Sequence, residues 1–104
     1  MDITTAAAGT RFFTTYASMN YSKPTASITQ WELVCPEHRV AVLVGYKGET
    51  IPAHTNVIDS KEQVFDNESA AWKNVAEKLQ AIVNTINTEI SECMKKAEPL
   101  AEAA

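Results

Sequence analysis

From Glu68 to about Ala97 the chain runs for roughly 30 residues without a proline or glycine, enough for a helix about 45 Å long at ~1.5 Å per residue. Apolar residues fall at Trp72, Val75, Leu79, Ile82, Ile86, Ile90, Cys93 and Ala97. Steps of mostly three or four residues define one helix face. A compact domain of ~100 residues has a radius of gyration of only about 13 Å, so the remainder of this chain is too small to cover such a rod. The first half of the seam, from Trp72, is expected to be domain core. The second half, Ile86, Ile90, Cys93 and Met94, runs past what three or four short strands can cover. Leu79, Ile82, Ile86, Ile90 and Met94 are therefore read as a self-association seam, giving a homodimer or higher homo-oligomer. The competing arrangement has the N-terminal strand and turn wrapping back over the seam.

With 104 residues and 45% apolar content, the chain is a single domain with one modest core. The formal net charge is −4, which argues against nucleic acid as a partner, because phosphate contacts need clustered lysine and arginine. Up to residue 60 there are five acids and four bases; beyond it there are eight acids and five bases. The acidity thus belongs mainly to a solvated helix surface. Cys35 and Cys93 fall in apolar positions and are read as reduced core thiols. Met1-Asp2-Ile3 leads into Thr-Thr-Ala-Ala-Ala-Gly, without a basic start or an apolar stretch. No window approaches the ~18 apolar residues of a membrane span. These features point to a cytoplasmic chain that makes no use of a membrane.

Asp2 is placed to cap a short turn through Ala8, closed by Gly9. Residues 10–19 are aromatic or β-branched and roughly alternating, with Phe13, Thr15, Ala17 and Met19 on one face. They read as a strand. Residues 20–27, holding Lys23-Pro24, read as a loop. A hairpin follows, with strands over 28–35 and 40–47 turning at Pro36-Glu37-His38, and the apolar run Val40–Val44 marks a central strand. Residues 48–62 are the least regular, and a further short strand is placed at 63–65. Asp66 or Asn67 caps the helix and Pro99 ends it, leaving 99–104 as a tail. The expected fold is α+β, a three- or four-stranded antiparallel sheet covered by one long C-terminal helix.

Each candidate for chemistry fails on spacing or on its surroundings. Cys35-x-x-His38 is half a zinc motif without a compact second half. As a thiol nucleophile, Cys35 would need an accessible, low-pKa environment, yet it falls on an apolar strand face. Gly45-Tyr-Lys-Gly48 lacks the five-residue glycine spacing and the following helix of a phosphate loop. No carboxylate pair sits where burial would raise a pKa. We therefore expect no catalytic residues, no metal and no cofactor. Two polar groupings remain. Gln80, Asn84, Asn87 and Ser91 recur at four, three and four residues on the helix. Asparagine and serine are indifferent helix formers, so this stripe is read as a protein-partner site. Arg11, Arg39, Lys47, His54, Asn56 and Lys61 form an alternative set for a small-molecule or nucleotide ligand, held where residues 48–62 meet a neighbouring subunit.

The functional expectation is a small non-enzymatic interaction protein that binds and modulates or inhibits a macromolecular partner. Phage or mobile-element accessory proteins that act against a bacterial defence complex are of this type. The alternative is an oligomer that sequesters a small molecule or nucleotide.

Overall fold

The computed structural model describes residues 1–45 and 54–103, the last four by backbone alone. Four strands, β1 (Arg11–Asn20), β2 (Lys23–Cys35), β3 (Val40–Leu43) and β4 (Thr55–Val57), form one antiparallel sheet in chain order. One helix, α1 (Glu68–Ala103), follows. The α+β class is as expected, with four strands.

Alternation on β1 builds the core. Phe12 is fully buried with Leu33, Ala41, Ile58, Val64 and Ile3. The pairings Phe12↔Trp31 and Leu33↔Ala41 set these strand residues on one face, because directly opposed residues share a face. Trp31 packs on the cluster, and its indole N–H donates to Thr14 Oγ1 at 2.9 Å. Val40–Leu43 lies between β2 and β4, the central position its two-sided apolar character implied. The chain then closes the sheet on itself. After β4 it returns to the outer edge of β1, where Phe13 and Phe65 exchange backbone hydrogen bonds of 2.7 and 3.0 Å. Ile58 and Val64 bracket that return and seal the open end of the core.

Residues 20–27 are not a loop. Asn20 pairs with Lys23, and Tyr21 and Ser22 alone make the turn, with φ of 50° and 64°. Two positive φ values define the turn type whose twist matches a hairpin. Pro24 concealed this arrangement, since proline is usually excluded from ladders. In a two-residue hairpin the Met19–Pro24 pair is the one without cross-strand hydrogen bonds, so the imino nitrogen faces the open side of β2. The paired strands therefore project as an arm, with Tyr21 fully exposed at its tip.

Four further differences have local causes. Residues 48–62 include β4, whose Asn56 pairs with Ala41; the isolated Thr-Asn-Val triplet was too short to read as a strand. Phe65 contributes a single bridge instead of a strand at 63–65. Described pairing of β3 ends at Leu43, and Gly45 follows with φ of 86°; Lys47 and Gly48 lie outside the described residues. The helix also continues through Pro99 to Ala103. So near the end, proline interrupts little beyond its own backbone bond.

At the N-terminus, the Thr4 hydroxyl (2.6 Å) and the Thr4 N–H (2.9 Å) donate to Asp2 Oδ1 and hold its carboxyl below the ordinary aspartate pKa. That turn delivers Ile3 to the core.

The turn carries a stability prediction. Tyr21 and Ser22 occupy backbone conformations that glycine and asparagine tolerate better. Replacing them with Asn-Gly is expected to raise stability by about 1 kcal/mol, read as a higher midpoint in thermal unfolding. A lower midpoint would contradict the assigned turn.

Candidate functional site

The N-terminal turns of α1 attach to β1. Asn67 is the cap, its Oδ1 accepting the Ala70 N–H at 2.8 Å. Ala71, Asn74 and Val75 are buried, and Leu79 and Ile82 are half-buried. The attachment is partly polar. The Thr15 hydroxyl donates to Asn74 Oδ1 at 2.7 Å, and Asn74 Nδ2 donates to Gln63 Oε1 at 3.4 Å. Lys78 Nζ donates to Thr15 Oγ1 at 2.8 Å. Asn74, 8% exposed, is the buried polar residue of the described chain. Sequence reasoning missed it, because an asparagine one residue from the apolar seam reads as solvated. Thr15, a half-buried polar residue on the β1 face opposite Phe12, was the available signal.

Trp72 is not core. It is 46% exposed, because the sheet takes the helix face of Ala71, Asn74 and Val75 and leaves Trp72 beside it. From Val83 to Pro99 the helix is exposed on every side. The molecule measures 67 × 27 × 23 Å, much of its length being this rod. Ile86, Ile90 and Met94 are 40%, 54% and 61% exposed. Of the expected seam, then, Leu79 and Ile82 meet the body and the other three do not. Cys93 is exposed and Cys35 is half-buried, so the reading of both as core thiols is corrected. Cys93 was assigned by periodicity, and the body ends before reaching it.

Gln80, Asn84, Asn87 and Ser91 are all exposed. On a helix of 3.6 residues per turn they lie roughly half a turn around from the sheet-facing residues. Gln80 Nε2 donates to Asn84 Oδ1 at 3.0 Å. Thr85 and Thr88 donate to the carbonyls of Ala81 and Asn84, each at 3.1 Å. These bonds occupy the threonine hydroxyls within the helix and leave the amide stripe as the outward polar surface.

The alternative set is distributed differently. Arg11 Nε donates to Glu32 Oε1 at 3.2 Å. Arg39, at φ 53°, closes the 3₁₀ turn Pro36–His38 and donates from Nε to the Ile58 carbonyl at 2.8 Å. His54 is half-buried just before β4, and Asn56 and Lys61 are exposed. Lys47 lies outside the described residues. Among the described residues no pocket opens, and no group of three His, Cys, Asp or Glu is disposed to hold a metal ion. No described helix is long and apolar enough to cross a membrane.

No protein-family model, curated protein or solved structure matches the chain.

The helix attachment is testable. Asn74→Leu leaves the half-buried Thr15 hydroxyl without its acceptor; an unsatisfied group costs about 1–3 kcal/mol when fully buried, so a loss of about 1 kcal/mol is expected in urea unfolding. Thr15→Val should cost a similar amount, and the double variant less than the sum of the two. Additive losses would mean the two side chains are not coupled.

Proposed function

We propose that this chain is a non-enzymatic interaction protein that binds and modulates a protein partner through the projecting half of α1. One observation carries this reading. A helix fastened by its N-terminal turns extends well beyond its own domain, with a polar amide stripe directed away from the sheet. Exposed apolar surface of that extent, edged by hydrogen-bonding groups, is the composition of an interface. Amides suit recognition because they offer both donors and acceptors without the desolvation penalty of a charge. An accessory protein of a phage or mobile element that blocks a bacterial defence complex would use a surface of this kind. Small-molecule sequestration draws less support, since Arg11 and Arg39 are engaged within the sheet region.

Asn84 and Ser91 lie at the outer edge of the stripe. Asn84→Arg or Ser91→Arg is expected to weaken capture of a protein partner from the native host at least tenfold, with circular dichroism and unfolding midpoint unchanged. Undiminished capture by both folded variants would remove the stripe from the binding surface.

A further inference from the structure

We propose that the exposed apolar seam of α1 pairs with a second copy of this chain, as an antiparallel two-stranded coiled coil centred between Thr85 and Asn84. The inference goes beyond the partner-binding reading: it assigns the apolar line to a second copy and shares only Gln80 and Asn87 with the amide stripe.

The pairing follows from which side the sheet occupies. With Ala71, Asn74 and Val75 buried against the sheet, the exposed Trp72 opens a repeat that the body touches only at the half-buried Leu79. Trp72, Leu79, Ile86 and Cys93 are seven residues apart, and Ala76, Val83, Ile90 and Ala97 fall between them. The steps alternate four and three throughout, the pattern of coiled-coil core positions. This line lies roughly a quarter of a turn around the helix from the sheet contacts, to one side of the face that the domain occupies.

Area and charge favour a copy of the same chain. Trp72, Val83, Ile86, Ile90 and Met94 are 40–61% exposed; that is roughly 500 Å² in one copy, so complete burial in facing copies would remove at most on the order of 1,000 Å², to which Ala76 and the flanking residues add, near the ~1,200 Å² at which stable interfaces begin. The flanks are mostly uncharged (Val75, Gln80, Ile82, Asn87), so self-pairing sets no like charges against each other.

Side-chain volume decides the direction. A parallel pair would stack Trp72 on Trp72 next to a layer of Ala76 on Ala76, crowding one layer and emptying the next. In the antiparallel register Trp72 meets Ala97 of the partner subunit, Leu79 meets the partner's Ile90, and Val83 meets the partner's Ile86. The same register brings Gln80 beside the partner's Asn87, pairing amides on the rim, while Asn84 and Ser91 stay outside.

Light scattering after size exclusion, at tens of micromolar, tests the pairing. The expected mass is twice 11.4 kDa, falling to the single-chain mass in Ile86→Asp and Ile90→Asp. Both residues are exposed in one copy, so the fold should survive, which circular dichroism checks. A wild-type monomer, or a dimer that both variants leave intact, would overturn the proposal. Direction is read by diamide oxidation in a Cys35→Ser chain. Adding Ala76→Cys should give a covalent dimer through Cys93, while the chain carrying Cys93 alone should stay unlinked. Efficient Cys93–Cys93 linkage would refute the antiparallel arrangement. Asn84→Arg should leave the dimer mass unchanged, which separates this result from loss of the partner site.

Discussion

The hydrogen-bonded junction between Thr15 and Asn74 determines what the rest of the molecule presents. A buried amide is costly unless its partners are fixed, and here Thr15, Gln63 and Lys78 supply or surround them. The junction sets the rotation of α1 about its own axis. A helix docked by apolar residues alone would gain by turning its most apolar side, from Trp72 to Met94, onto the sheet. With Asn74 facing β1, that side is displaced and remains in solvent.

The sheet makes this outcome unavoidable. Its core is small, built on Phe12, Leu33, Ile58 and Val64, and it is sealed by the chain's own return to the edge of β1. Curling the sheet in this way encloses the core without help from the distal helix. It also limits the helix to the short stretch where β1 and β2 are covered. Roughly 20 of the helix residues extend past Ile82, and an isolated helix of that length is marginal in water. Association of the exposed face would supply the stabilisation that the domain does not.

The sequence and the structure agree where periodicity is strong. The long helix, the central strand at Val40–Leu43 and the α+β class were all legible from apolar spacing. The β1–β2 turn was not, because Tyr21-Ser22 is an uncommon pair for positive φ and Pro24 disguises the strand after it. Nor was β4 legible, since Thr55–Val57 acquires its conformation by pairing with β3 and not from local preference. For the candidate surface, the stripe at Gln80, Asn84, Asn87 and Ser91 was visible directly. The identity of the exposed seam was visible only in part. Periodicity alone could not tell the sheet-facing line through Ala71 and Val75 from the neighbouring exposed positions Trp72 and Val83. Separating them required knowing that Asn74 points inward.

The described structure is a small domain with a helix that extends well beyond it. In the reading proposed here, that helix would carry two adjacent surfaces, an apolar line for its own copy and an amide stripe for another protein. Hydrogen exchange measured across a range of protein concentrations tests that account directly. Backbone amides from Val83 to Met94 are predicted to exchange more slowly as concentration rises, while those of Leu33 and Ala41 in the domain core stay constant. Exchange in the distal helix that is fast and independent of concentration would show that its apolar face is left to solvent, and would contradict the central claim.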